Sequence, residues 1–145
     1  MTTLGLQTRP PRAVVLPRDE IAFRSRYRPL LLARALTTVF RPGDRLYPNW
    51  RGYAEGEVVT ARIIRTPGSD EDGVPPLFDD DVRIPIRIET ISVRSIDALG
   101  DDAFAGSSPD VYDSESLAAH LHRIYDRPIS AFGNQVTRIA FRYID

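Results

Sequence analysis

The sequence predicts an α+β protein of one domain, built on a small barrel or a strongly bent mixed sheet with helices on its open sides. Three observations predict this class. The chain has 145 residues, about the length of one domain. Its apolar residues repeat at strand spacing in several short segments and at helical spacing in a few others. These segments do not alternate regularly between strand and helix, as a doubly wound fold requires.

Residues 1–17 contain Pro10 and Pro11 and show no helical periodicity, which predicts an extended arm. Residues 18–145 then form a single domain. No segment has the roughly 20 consecutive apolar residues that a membrane span requires. The amino terminus also lacks the basic and then apolar pattern of a secretory signal. We therefore expect no membrane partner and a cytoplasmic location.

The first half of the domain predicts a strand, a helix and further strands. Apolar spacing predicts a short strand at Glu20–Phe23, a helix over about residues 25–35, and β structure from Thr37. The turn signal at residues 41–44 interrupts this β structure, which resumes at Arg45–Tyr47.

The second half predicts two long strands, two helices and a closing strand. The long strands are Glu57–Arg65 and Val82–Ile96, and an acidic loop at residues 66–81 separates them. The remaining elements are a short helix within residues 95–106, a helix that begins at Asp113 or Ser114, and a strand at Gln135–Tyr143.

The composition excludes several kinds of chemistry. The chain has no cysteine, so disulfides, thiolate zinc sites, iron–sulfur clusters and cysteine nucleophiles are excluded. All 19 basic residues are arginine, which removes lysine as a nucleophile or Schiff-base former. We attribute this bias to a GC-rich genome. No glycine-rich phosphate loop is present, and we expect no cofactor.

The formal net charge of −1 hides an uneven distribution along the chain. Residues 1–65 hold 12 arginines and five acidic residues, a net charge of +7. Residues 66–145 hold seven arginines and 15 acidic residues, a net charge of −8. Such asymmetry predicts an anionic partner for the basic half.

Several short motifs, taken in order, resemble the ASCH branch of the PUA-like superfamily. The first half has Phe23 and Tyr27, then LLARALTT at residues 31–38, RPGDR at 41–45 and EVVTARII at 57–64. The second half has DDAFAG at 101–106 and VTRIAF at 136–141, with an apolar helical pattern between them. The resemblance covers about residues 19–144 and implies a small PUA-like β-barrel with flanking helices.

The resemblance also implies that RNA or a nucleotide binds between barrel and helix and that some members hydrolyse RNA or a modified nucleoside. The family motif Gly-x-Lys-Thr-x-Thr-x-Arg falls on residues 33–40, where Ala35 stands at the lysine position and Thr38 matches the second threonine. Arg41 lies one residue beyond the expected arginine. The later catalytic carboxylate has no clear equivalent at residues 104–107, so we do not expect the hydrolase activity here.

Arginines and aromatic residues form the constellation that predicts a ligand site. Its members are Arg34, Thr38, Arg41, Trp50, Arg51 and Tyr53, which the predicted topology brings to one rim of the sheet. Arginine forks bind phosphate with two hydrogen bonds, and an aromatic face stacks on a base. The alternative is that Trp50 packs in the core and the arginines pair with Asp44, Glu55 and Glu57.

We interpret the histidines, the aspartate run and the serine pair as structural residues and not as catalytic or metal-binding ones. His120 and His122 lie about 200° apart around a helix axis, so they cannot chelate one metal ion, and we predict them to be exposed or partly packed. Residues 79–81 are three aspartates without the spacing or glycine of a calcium loop. Residues 107–108 are serines with no base arranged beside them in the sequence. We expect no metal site.

Three functions remain open. The leading hypothesis is a non-catalytic domain that binds RNA or a nucleotide through its basic half. The second is a hydrolase of RNA or a modified nucleoside that uses Arg34, Thr38 and Glu89. Glu89 is otherwise an ion-pair partner of Arg87 or a neighbouring arginine. The third is a protein-interaction module in which the acidic loop at 66–81 and the basic half meet different partners or each other.

Overall fold

A computed structural model of the chain describes residues 19–69 and 71–144. The predicted arm at residues 1–17 lies outside them. The described residues form five strands in one sheet and two α-helices. The strands are β1 (Glu20–Arg24), β2 (Thr38–Pro42), β3 (Val58–Thr66), β4 (Leu77–Ser95) and β5 (Gln135–Tyr143); the helices are α1 (Arg28–Leu32) and α2 (Ser114–Tyr125). The predicted α+β class is confirmed.

The sheet is open, with the order β1-β3-β4-β5-β2. β1 is parallel to β3, and the other neighbouring strands are antiparallel. β1 and β2 are the edges, and the described residues form no backbone ladder between them, so a closed barrel is not confirmed. A side chain joins the edges instead, because the Arg41 guanidinium donates to the Ala22 carbonyl oxygen at 2.6 Å. The sheet therefore bends far enough for an arginine side chain of one edge strand to reach the backbone of the other.

Two hydrophobic clusters hold the structure together, one on each face of the sheet. The inner cluster includes buried side chains of all five strands, with Tyr27 and Leu31 packed beside them. The outer cluster consists of Phe40, Ile96, Val111, Leu117, Leu121 and Val136. Val39 and Phe40 are consecutive on β2 but belong to different clusters, since successive side chains of a strand point to opposite faces. The outer cluster fixes α2 against β2 and β5.

The predicted helix over residues 25–35 is shorter in the structure. A 3₁₀ turn at Ser25–Tyr27 precedes α1, which has five residues. Pro29 stands in the first turn of α1 and has no N–H to extend a helix backwards. Arg34 takes a φ of 57°, in the left-handed region, and the chain leaves the helical path there.

Three other boundaries differ from the sequence prediction. β4 begins at Leu77, inside the predicted acidic loop, and near its start Arg28 forms ion pairs with Asp79 at 3.0 Å and Asp81 at 2.9 Å. The segment at residues 45–47 is no strand but a single bridge between Leu46 and Tyr53. The short helix within residues 95–106 is two separate 3₁₀ turns.

The carboxyl-terminal elements agree with the prediction. β5 spans Gln135–Tyr143, and α2 begins after Asp113, whose side chain accepts a hydrogen bond from the Ser116 amide at 2.7 Å. No helix among residues 19–69 and 71–144 is long and apolar enough to cross a membrane.

Candidate functional site

A cleft of about 1310 Å³ lies where the two edges of the sheet meet α2. Its walls are β1, β2, one face of α2, and the loops at residues 45–53 and 67–76. This volume exceeds the roughly 300–1,000 Å³ of typical small-molecule sites. We call it the central cleft.

Of the arginines that line the central cleft, three half-buried ones form what we call the arginine cluster: Arg24, Arg41 and Arg45. All three use uncharged partners. Arg24 donates to the Ile124 carbonyl oxygen at 3.0 Å, Arg41 donates to β1 as described above, and Arg45 hydrogen-bonds to the Tyr125 hydroxyl. Each guanidinium has five N–H donors, so donors remain for a ligand.

No carboxylate among residues 19–69 and 71–144 lies within 4.0 Å of the arginine cluster, whereas some arginines elsewhere do have acidic partners. Arg26, for example, contacts Asp110 at 2.7 Å, and Arg62 contacts Glu20 at 3.0 Å. Of the described residues that line the cleft, the acidic ones are Glu71 and Asp126, and both are exposed. The arginine cluster is therefore a concentrated positive charge with no counter-ion among the described residues.

The pKa of the Tyr125 phenol reflects this positive charge. Burial alone would raise its pKa, but the charges of Arg41, Arg45 and Arg24 outweigh burial, and the pKa lies below its ordinary value. The Arg45 pKa is also lowered, first by burial and then by the repulsion of Arg41 and Arg51. The charges of neighbouring arginines contribute to both shifts.

Aromatic residues of the loop at 45–53 form the rim of the cleft. Trp50 is 37% exposed and Tyr47 is 53% exposed, so Trp50 does not pack in the core. The Arg51 guanidinium lies 4.3 Å from the centre of the Trp50 ring. Tyr53 is buried and donates to the Glu20 carbonyl oxygen at 2.6 Å, and burial raises its pKa. Tyr53 therefore anchors the loop to β1, while Trp50 and Tyr47 lie exposed at the rim.

The acidic residues of this region satisfy backbone groups. Asp44 accepts from the Leu46 amide at 3.0 Å, Glu55 from the Ile91 amide at 3.0 Å, and Glu57 from the Ala54 amide. None of the three forms an ion pair with the arginine cluster among the described residues. Their hydrogen bonds to backbone amides shape the loop.

A second polar group, which we call the histidine network, lines the cleft beside the arginine cluster. The Tyr27 hydroxyl and the Nε2 atom of His120 share a short hydrogen bond. On the other side of the ring, Nδ1 of His120 lies 3.6 Å from Asp110, which accepts a hydrogen bond from Ser108. Burial lowers the pKa of His120, although Asp110 opposes that shift, so the imidazole is neutral at pH 7.

The structure brings five of the six sequence-predicted site residues to the central cleft. They are Thr38, Arg41, Trp50, Arg51 and Tyr53. Thr38 is buried, and its hydroxyl accepts from Arg138 at 3.4 Å. Arg34 is exposed outside the cleft, 5.6 Å from the centre of the Tyr143 ring. Glu89 is also outside, at a bulge of β4, and forms an ion pair with Arg142 at 3.4 Å.

Sequence reasoning missed several residues of the cleft. They are Arg24, Tyr27, Arg45, Ser108, His120 and Tyr125. The interpretation of His120 as exposed or partly packed is wrong, because it is 5% exposed and shares the packed face of α2 with Leu117 and Leu121. Helical spacing from Leu117 would have indicated this face. Within the described residues, no three His, Asp or Glu side chains are grouped so that they could hold a metal ion.

Comparison with known proteins supports the fold. No protein-family model matches the chain, and no curated protein matches it. Among solved structures, the chain is similar to hypothetical protein PH0355, with a TM-score of 0.55 and 16% identity over 86% of this chain and 97% of that one. It is also similar to protein EF3133 from Enterococcus faecalis V583, of family DUF984, with a TM-score of 0.50 and 12% identity over 83% of this chain and 71% of that one. At these identities the likeness concerns the fold alone.

Proposed function

We propose that the protein binds a nucleotide, free or as part of single-stranded RNA, in the central cleft. The observation that carries the proposal is the arginine cluster, three guanidiniums beside an aromatic rim with no carboxylate partner among the described residues. Arginine forks suit phosphate oxygens, and Trp50, which is 37% exposed at the rim, suits a base. The positive charge and the exposed aromatic rim thus favour a ligand that carries both a phosphate and a base.

The experiment is a binding titration at low salt with a short single-stranded RNA. Trp50 is the chain's one tryptophan, so its emission reports stacking directly. We expect saturable quenching by the single strand and weaker quenching by the duplex of the same sequence, whose bases are already stacked. If neither single-stranded RNA nor nucleoside monophosphates bind at low salt, the proposal is wrong.

A hydrolase is the second candidate, and the histidine network favours it. A neutral imidazole can accept a proton, and His120 already hydrogen-bonds to Tyr27 at the cleft wall. This set differs from the predicted one, of which only Thr38 lines the cleft. We expect His120→Asn to abolish any RNA or nucleoside turnover and the exposed His122→Asn to retain it. Equal turnover in both variants would eliminate this candidate.

Kinship with the ASCH branch of the PUA-like superfamily belongs to the same proposal. Its support is the element order, the RPGDR segment at the end of β2, and a cleft between the sheet edges and a helix. Ala35 still stands where the family motif has lysine. For this reason we favour binding over the hydrolysis that some family members perform.

A further inference from the structure

The arginine cluster carries more positive charge than an internal phosphate of RNA needs. A phosphodiester has one negative charge and two free oxygens, and its chain must leave on both sides. A phosphate monoester carries close to two negative charges at pH 7 and has three free oxygens. Three guanidiniums, from β1, β2 and the loop after β2, line the same cleft as Tyr125, and together they offer several N–H donors to a three-oxygen group.

The arrangement of the cleft agrees with this chemistry. The arginines are half-buried, whereas Trp50 and Tyr47 lie exposed at the rim. A ligand that places its base on the rim therefore directs its phosphate inward, among β1, β2 and the end of α2. Inward placement suits a terminal group, because a chain that continues past the phosphate needs an exit on the far side. The lowered pKa of Tyr125 supports the same conclusion, since it reflects excess positive potential at this point.

We propose that the arginine cluster of Arg24, Arg41 and Arg45 is a subsite for a terminal phosphate monoester, carried by a nucleoside monophosphate or by the phosphorylated end of an RNA strand. This inference rests on the proposed function and names its ligand class. Trp50 and Tyr47 then hold the base next to that phosphate.

The test compares matched ligands that differ only in the terminal phosphate. The first pair is one short single-stranded RNA with a 5′-phosphate or a 5′-hydroxyl, and the same strand with a 3′-phosphate forms a third arm. Adenosine monophosphate against adenosine distinguishes free nucleotides from strand ends. We expect the better phosphorylated strand to bind about tenfold tighter or more than the unphosphorylated one, as one additional charge-assisted hydrogen bond would produce.

Arginine variants test whether the arginine cluster causes the preference for phosphorylated ligands. Arg45→Gln should reduce the ratio of the two affinities towards one, and Arg24→Gln serves as a second variant if the first does not fold. Arg142→Gln is the matched control, because that arginine pairs with Glu89 outside the cleft. Equal affinity of the wild type for phosphorylated and unphosphorylated ligands overturns the inference but leaves the proposed function in place. Absence of binding by every ligand overturns both.

Discussion

Gly106 occupies a position that a side chain cannot enter. Its φ is +80°, and an added Cβ atom would lie 2.2 Å from the Thr37 hydroxyl oxygen. The Gly106 carbonyl oxygen also accepts hydrogen bonds from the Thr37 and Thr38 amides at 2.9 and 3.1 Å. This residue therefore ties the segment before α2 to the start of β2, where Thr38 lines the cleft.

We predict that Gly106→Ala lowers the free energy of unfolding by about 2–4 kcal/mol, the sum of left-handed backbone strain and a steric clash. Gly56→Ala is the matched control, because Gly56 has a φ of +87° but nothing within 4 Å of an added Cβ. Its cost should be about 1–2 kcal/mol. Urea unfolding measures both, and equal losses would contradict the role given to the contact with Thr37.

His120 should make stability depend on pH. Its pKa is lowered by burial from an ordinary value of 6.5, so the unfolded chain binds the proton before the folded protein does as the pH falls. The free energy of unfolding should therefore decrease below about pH 6.5, by at most about 1.4 kcal/mol per pH unit, until the folded-state pKa is reached. Urea unfolding between about pH 5 and 7 measures this slope.

His120→Gln should flatten that slope, whereas His122→Gln, at an exposed position of the same helix, should leave it unchanged. The carboxylate of Asp110, near His120, does not contribute to the slope between about pH 5 and 7. Its pKa is lowered despite its partial burial, so it titrates at more acidic pH. A slope that persists in His120→Gln would mean that another group causes it.

The role of a single residue could be predicted from the sequence only where the chemistry of its own side chain determines that role. The arginine and aromatic composition indicated Arg41, Trp50 and Arg51, and the structure places them at one cleft. Arg24 and Arg45 were not distinguishable from the other arginines, because charge composition does not show which arginines lack a carboxylate. That property depends on contacts between segments distant in sequence.

At the scale of elements, α2 forms the wall that carries the histidine network. Its start is fixed by a capping box, in which the Asp113 side chain accepts from the Ser116 amide and the Ser116 hydroxyl oxygen accepts from the Asp113 amide. The backbone hydrogen bond to Ser116 lowers the pKa of Asp113. The cap orients the helix that places His120 and Tyr125 in the cleft.

We predict that Asp113→Ala lowers the midpoint of thermal unfolding by about 4 °C, because the amide at the helix start loses its acceptor. Asp113→Asn is the matched control and should retain most of the stability, since its carbonyl oxygen can accept the same bond. Circular dichroism melting curves measure both. A wild-type midpoint in Asp113→Ala would show that this cap does not hold the helix.

The sequence predicted long elements better than short ones. α2 and β5 have strong periodicity and clear ends, and both match the structure. α1 is short because Pro29 and the left-handed Arg34 confine it, and only the first of these can be read from the sequence. β4 extends back to Leu77 because Leu77 and Phe78 pair with Thr66 and Ile64 of β3, a long-range contact that no local pattern contains.

In the whole molecule, the uneven distribution of charge along the chain corresponds to ion pairs between its two halves. The acidic half supplies Asp79, Asp81 and Asp110, which neutralise Arg28 and Arg26 of the basic half outside the arginine cluster. These contacts join the two halves of the chain internally. The arginine cluster, which also belongs to the basic half, is left without acidic partners among the described residues.

Binding of single-stranded RNA should therefore weaken steeply with salt. If the three arginines displace counter-ions from phosphates, the logarithm of the affinity should fall against the logarithm of the salt concentration with a slope of up to about −2. Fluorescence titrations at several salt concentrations give this slope. A slope near zero would mean that phosphate contacts do not drive binding.

The most direct test of the central claim is the affinity of Arg45→Gln and Arg142→Gln for one short single-stranded RNA at one salt concentration. Both variants remove one positive charge, but only Arg45 lies in the central cleft. We expect about a tenfold loss for Arg45→Gln, as for one charge-assisted contact, and wild-type affinity for Arg142→Gln. Equal affinities in the two variants would show that the arginine cluster does not bind the RNA phosphate.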